Sequence, residues 1–539
     1  MQMTARVITI ATIAAVASAC GQVNDNQSED VTVVHSAVNQ TFAQHQTACQ
    51  ADPRVQSGVV SLTECIGADI FFKENFNGNG RTCGNCHRVE RNFTIDPTFV
   101  ARLPSSDPLF IAENHTDAFA LDQLEIPAQM RARSLILENV DGTQPEGPTV
   151  RFVLRSVPHT LSQGISTTRP PNSQNPPADR TGWGGDGAPG QGRLADFTNG
   201  AINQHFTRSL NRVAGTDFRV ATEEEGQAVA TFMRAVGRTN DIDLNSITMS
   251  DANAEIGRQR FLVVGCTTCH GNATANINAT SGNTNQQTGV EFVRNPALAS
   301  FPQDGGFGGF QFQSPPGGIG DFSFNVPPII EAADTGPFFH TDTQIINSID
   351  PTQNTDSAQT IEQAVAFYRS QAFFLSMDAP DVQNIARFLR ALNAVFNIQM
   401  ASNRIIGARN MGNALGNVAR VDRMQRRMAQ MTLFELDDAV RVLSGQANLN
   451  VAQANRIRTA RTRIETVVAT SGTTATAFNT RMVNLANAFN DLDLADSEIS
   501  ANVQFNIGNG TRIDCADPST DGQAGTAPCF DPALRTAAP

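Results

Sequence analysis

Cys83-Gly84-Asn85-Cys86-His87 and Cys266-Thr267-Thr268-Cys269-His270 are two copies of one pattern, C-x-x-C-H, 183 positions apart. The spacing puts two thiols on one face of a turn, with a histidine directly after the second. That is the arrangement required to fasten a haem through two thioethers and to present an imidazole to its iron as proximal ligand. A zinc site would want its second C-x-x-C about 15–20 residues on, and a thioredoxin-like site would want a βαβ pattern around it. Neither is present. Four of the nine cysteines fall in these two pentapeptides, so the motifs decide the reading: two haem-bearing segments in one chain, with Cys83, Cys86, Cys266 and Cys269 as attachment points and His87 and His270 as iron ligands.

The remaining cysteines suggest an oxidising compartment. Cys49/Cys65 and Cys515/Cys529 are close enough in sequence to form local disulfides, which leaves Cys20 alone. Arg6, the short apolar run 7–16 and Ala17-Ser18-Ala19 read as an export signal over 1–19. Small residues followed by Cys20 also resemble a lipoprotein box, so lipid anchoring at Cys20 stands beside plain secretion. The periplasm or cell surface is the expected location, with an outer-membrane lipoprotein as one form of it. No later stretch has 18 uninterrupted apolar residues. The net charge of −13 argues against a nucleic-acid partner.

The expected fold class is mainly α: two cytochrome-c-like haem domains with long loops, plus a C-terminal helical extension. Residues 20–60 read as a flexible N-terminal segment, 61–240 as the first haem domain, 241–397 as the second, and 398–539 as the helical extension and tail. Helices are expected over 197–210, 223–236, 252–264, 360–369 and 380–395, with Glu223-Glu224-Glu225 suiting a helix N-terminus. Residues 271–320 are rich in Asn, Thr and Gly without periodicity and read as a long loop. No strand run stands out. Residues 399–500 contain no His or Cys, and their methionines read as core fillers.

Several segments, in order, resemble the bacterial dihaem cytochrome c peroxidase superfamily, which also holds the methylamine-dehydrogenase maturation enzyme and the dihaem rubber oxygenases. They are Gly78-Asn79-Gly80-Arg81-Thr82 before Cys83, Arg155-Ser156-Val157-Pro158-His159-Thr160-Leu161, Gly182-Trp183-Gly184-Gly185-Asp186-Gly187, Phe324-Asn325-Val326-Pro327, Thr335-Gly336-Pro337-Phe338-Phe339-His340, and Phe388-Leu389-Arg390-Ala391-Leu392. The match covers about residues 65–397. The resemblance implies that electrons enter at the second haem, pass Trp183 between the haems, and reach peroxide or O2 at the first. A periplasmic electron donor or acceptor and a small oxidant are the implied partners.

Other residues keep more than one reading. Tyr368 and His340 compete as sixth ligand of the second haem, with Met377 a weaker candidate. His115, His159 and His205 read as local hydrogen-bonding groups or as neighbours of a haem. The family's distal Gln aligns with Phe197 and its Glu lies near Thr207. An apolar Phe197 in a catalytic wall would favour O2 or an apolar substrate over peroxide cleavage, because it cannot move a proton. The family also holds calcium through backbone carbonyls equivalent to Thr335 and Pro337, with an Asn that aligns here with Ser162. Two functions therefore stand at this point: a dihaem oxidoreductase of peroxidase or oxygenase type, or a non-catalytic dihaem electron-transfer protein. A third makes the C-terminal helices a partner-docking module served by the haems.

Overall fold

The structure is a computed structural model. It describes residues 40–111, 127–139, 152–169, 179–185, 187, 192–209, 211–271, 282–288, 290, 303–306, 318–339, 360–369, 376–444, 451–517 and 528–535. The described chain is mainly helical, 59% helix against 8% strand, too little strand to form a layer of its own. The longer helices are α1 (Phe42–Ala51), α2 (Leu62–Lys73), α3 (Leu194–His205), α4 (Glu223–Ala235), α5 (Ala252–Val263), α6 (Ile361–Phe367), α7 (Ala379–Leu415), α8 (Ala419–Ser444), α9 (Val451–Ala469) and α10 (Ala475–Ile499). Among the described residues no helix is long and apolar enough to cross a membrane.

The two motif segments are built alike. Each has a helix before the motif and a helix well after it, crossing at a glycine. A Cβ on Gly67 of α2 would lie 2.0 Å from the carbonyl oxygen of Ala228 in α4, and one on Gly257 of α5 would lie 1.8 Å from that of Asn384 in α7. Only glycine permits so close a backbone approach. One turn beyond each glycine a phenylalanine meets a phenylalanine of the partner helix edge-on: Phe71 with Phe232 at 5.4 Å, and Phe261 with Phe388 at 5.8 Å between ring centroids. The expected acidic start of α4 is present. Thr222 caps it in a box with Glu225, and Glu223 and Glu224 occupy the first turn.

Three expectations need correction. Residues 40–60 do not form a loose segment: α1 starts in a Thr41/Gln44 capping box, and a disulfide joins Cys49 to Cys65 of α2. The segment looked unstructured because several of its buried groups, His45, Asp52 and Arg54, are polar or charged. His45 is fully buried, with Nδ1 2.8 Å from Asp69 Oδ2 and Nε2 3.5 Å from Glu74 Oε2. Second, strands are present. β1 (Leu135–Asn139) pairs antiparallel with β2 (Phe152–Ser156), while β3 (Asn285–Gln286) and β4 (Gln303–Gly306) flank β5 (Gly318–Asn325). The stretch read as one loop over 271–320 thus contributes two short strands and the start of a third, and only β5, beyond 320, alternates apolar with polar residues, at Phe322 and Phe324. The hairpin and β4 are joined by Arg155, whose Nε donates to Asp304 Oδ2 at 2.6 Å with both side chains buried. Third, the boundary placed between 397 and 398 falls inside α7, a 37-residue helix. α7, α8, α9 and α10 pack in sequence and α10 returns to α7. One core cluster runs from Cys49 to Phe530, so the extension shares the core of the motif segments.

The tail closes on the N-terminal segment. Arg54 and Arg427 both pair with buried Asp514, next to the Cys515–Cys529 disulfide. Both local disulfides expected from the cysteine count are formed.

The His45 network sets a pH dependence. Burial, the largest influence, pulls the His45 pKa down, but the carboxylates of Asp69 and Glu74 outweigh it and leave it raised above 6.5. A raised folded-state pKa contributes stability that is complete below the unfolded value and is lost as pH rises through the folded one. The gap in denaturant midpoint between the wild type and His45→Gln should therefore be widest below pH 6.5 and narrow in alkali. A gap that widens with rising pH would contradict this arrangement.

Candidate functional site

Both pentapeptides fold as the same tight turn. Cys83–Asn85 and Cys266–Thr268 are single 3-10 turns. The N–H of His87 donates to the Cys83 carbonyl at 3.0 Å, and that of His270 to the Cys266 carbonyl at 2.9 Å. The first turn is braced by Asn85, whose Oδ1 accepts from Thr82 N–H at 2.6 Å. The phenylalanines of the helix crossings stand next to the motif histidines: Phe71 is 5.8 Å from His87 and Phe261 6.3 Å from His270. None of the four motif thiols is in a disulfide.

Burial sets the protonation states of the motif groups. Burial pushes the Cys83 and Cys266 thiols up to about 12, so they are neutral thiols. Burial likewise pushes His87 down to about 4, so its imidazole is neutral. Its Nδ1 donates to the Phe93 carbonyl at 2.9 Å, which assigns the lone pair to Nε2. A zinc site needs thiolates and four converging ligands. Among the described residues the cluster with suitable ligand atoms is Asp514, Cys515 and Cys529, which is closed by the disulfide.

The second motif opens on a cavity of about 480 Å3, within the size range of small-molecule and cofactor sites. Cys266, Cys269 and His270 line it, with apolar walls from Phe261, Ile385 and Leu389. Tyr368 and Met377 both line it too, so two candidate sixth ligands face the same space as His270. Trp183 is on its wall, with Nε1 donating to the Ser156 carbonyl at 2.9 Å. So are Thr94 and Ile95, which follow the first motif. The cavity therefore brings residues from both motif segments together around Trp183.

His159 is placed closer to this chemistry than its sequence suggested. It lines the cavity with His270, and burial, Arg238 and His87 hold its pKa down at about 4, which makes it a neutral imidazole. Phe197 is half-buried on α3 and is not among the described residues that line the cavity. His205 ends α3 and accepts from Asn79 Nδ2 through its backbone carbonyl at 3.0 Å. Thr207 is buried and donates its hydroxyl to the Ser209 carbonyl at 2.7 Å. His340 and His115 lie outside the described residues. Ser162 donates to Glu331 Oε1 at 3.1 Å, and Thr335 Oγ1 donates to the Glu331 carbonyl at 2.9 Å, so the corner expected to hold calcium is organised around Glu331. Sequence reasoning missed Glu331, Thr94 and Asp304. Each sits in a stretch with no motif and is recruited by contacts far along the chain.

Compared with protein-family models, with curated proteins and with solved structures, the chain matches none.

Proposed function

We propose that the protein is an exported dihaem c-type oxidoreductase, in which electrons entering at the Cys266/Cys269 site reach peroxide or O2 at the Cys83/Cys86 site. The observation that carries this reading is the repeated construction around the two C-x-x-C-H turns: the same glycine crossing, the same phenylalanine pair and the same histidine–phenylalanine contact. The donor set fits the group: at the second motif the neutral Cys266 and Cys269 thiols and His270 stand beside an apolar cavity, and at the first the buried His87 imidazole is neutral. A bound haem supplies one-electron redox chemistry. The chain supplies the rest. His87 and His270 present their imidazoles, and Phe93 fixes the first by accepting its Nδ1 proton. Trp183 stands on the wall shared by both segments. Tyr368 and Met377, which line the same cavity as His270, would be available as a further ligand, with His340 the candidate outside the described residues.

Export with a lipid anchor at Cys20 belongs to the same proposal, since covalent haem and two disulfides both suit an oxidising periplasm or cell surface. Calcium also belongs to it, at the corner of Thr335, Pro337 and Ser162, where Ser162 and Thr335 bring hard oxygens beside the buried Glu331 carboxylate, which also faces Arg238 at 3.7 Å. A second reading, electron transfer without catalysis, is supported by Thr207. Its hydroxyl proton is committed to Ser209, so the position nearest the family's distal acid has none to give.

The test is the intact mass of the mature protein, followed by spectra of its reduced form with and without carbon monoxide. Two haem additions and carbon monoxide binding at one of them are expected. Four unmodified thiols would remove the proposal. Two additions with no carbon monoxide binding would transfer the assignment to the second reading.

A further inference from the structure

Trp183 and His87 are joined by a chain of bonds that no motif announces. The indole Nε1 donates to the carbonyl of Ser156 at 2.9 Å. The next residue, Val157, offers its carbonyl to the hydroxyl of Thr94. Thr94 follows Phe93, whose carbonyl accepts the Nδ1 proton of His87 at 2.9 Å. Two short pieces of backbone and three hydrogen bonds thus run from the cavity wall of the second motif to the imidazole of the first. Ser156, Val157, Thr94 and Phe93 are all buried, the first three on the cavity wall.

The backbone is bent to make this possible. Asn92 and Phe93 both adopt left-handed conformations, with φ of 55° and 57°. That is an unfavourable region for a bulky residue such as phenylalanine, and it persists only where the surroundings enforce it. Here the Phe93 N–H is tied to the Arg88 carbonyl at 2.8 Å, and Asn92 Nδ2 donates to Asp438 of α8 at 2.9 Å. The effect is to aim the Phe93 carbonyl at His87 while Thr94 turns toward Val157. Among the described residues, the Thr94 hydroxyl supplies the side-chain hydrogen bond that links the two backbone pieces.

We propose that Thr94 is a positioning residue for electron transfer, closing a hydrogen-bonded path from Trp183 to His87 along which the electron moves from the second site to the first. The inference rests on the dihaem reading above and adds the route. With haem bound at both sites, the step would carry one electron from the group held by His270 to the group held by His87. No bond is made or broken and no proton is transferred. A one-electron donor restores the second site.

The experiment uses the full-length, haem-loaded protein. After rapid mixing with less than one equivalent of a one-electron reductant, the redistribution of the electron between the two sites is followed by absorbance. Thr94→Val keeps the side-chain shape and removes the hydroxyl. It should slow redistribution several-fold, with both haem additions present and both reduction potentials unchanged. Thr94→Ser keeps the hydroxyl and should restore the rate. Trp183→Phe cuts the path at its other end, so the double variant with Thr94→Val should be no slower than the slower single one. An unchanged rate in Thr94→Val overturns the proposal. So does an equal fall in Thr94→Ser, a rate change explained by a shifted potential, or a multiplicative effect in the double variant. If Thr94→Val does not mature, an unchanged rate in Trp183→Phe overturns it instead. A wild-type protein without haem would refute the parent reading, a result distinct from all of these.

Discussion

Replacing Gly257 with alanine is expected to destabilise the protein by about 3 kcal/mol or more, although alanine is favoured over glycine in a helix interior by roughly 1 kcal/mol. The reason is geometric. The new Cβ would be 1.8 Å from the Asn384 carbonyl oxygen and 3.0 Å from Phe388 Cβ. The atom in the way is backbone, so no rotamer change can relieve the clash, and α5 and α7 must separate. Separation also breaks the Phe261–Phe388 contact that carries His270's neighbour. Gly67→Ala should act in the same way on α2 and α4, where the distances are 2.0 Å to the Ala228 oxygen and 2.8 Å to Phe232 Cβ. Denaturant midpoints measure both. An alanine variant at either position as stable as the wild type would mean that the helices do not cross at these glycines.

These crossings also show where sequence reading works and where it stops. The motif turns were legible because two cysteines and a histidine at fixed spacing have few other uses. α4 and α5 were legible because each has a clear start, an acidic first turn at Glu223 and a cap at Asp251. Gly67 and Gly257 were not, since a lone glycine in a helical pattern looks like a weakness until its partner helix is known. α7 was expected to end near 395 and instead continues to Leu415. Its second half packs on α8 and α10, a tertiary reason that local pattern does not contain. β4 and β5 were missed for a related cause. Gln303–Gly306 and Gly318–Asn325 are rich in Gly and Asp, and β4 is anchored by Arg155, which is 149 positions from its Asp304 partner.

The cavity illustrates the same division. Cys266, Cys269 and His270 were read directly, and Trp183, Tyr368 and Met377 were reached through the resemblance, yet Thr94 and Ile95 share the wall without any local sign. Phe197 was reached by alignment alone: its helix was anticipated in outline, and its half-buried ring is not among the residues that line the cavity of the second motif. Helix membership can be argued from neighbours three and four positions away. A cavity wall is a set of residues brought together by the fold, and alignment by a single conserved-looking pattern does not fix which way each side chain faces.

The largest effect is expected from removing both thiols of the second motif. In the double variant Cys266→Ala with Cys269→Ala, the mature mass should fall by one haem while the addition at Cys83 and Cys86 remains. Stability should fall as well, for a reason set by the cavity. Phe261, Ile385 and Leu389 line a space that is partly open to solvent, so losing the group that covers them wets apolar surface at roughly 25 cal/mol per Å2. Walls of this kind are stable around an occupant and collapse without one, so the double variant should unfold at markedly lower denaturant and bind an apolar dye before it does. Restoring one cysteine should recover part of the stability, because a single thioether still holds the group in place. A double variant with unchanged mass and an unchanged midpoint would show that the cavity is not where a thiol-linked group belongs.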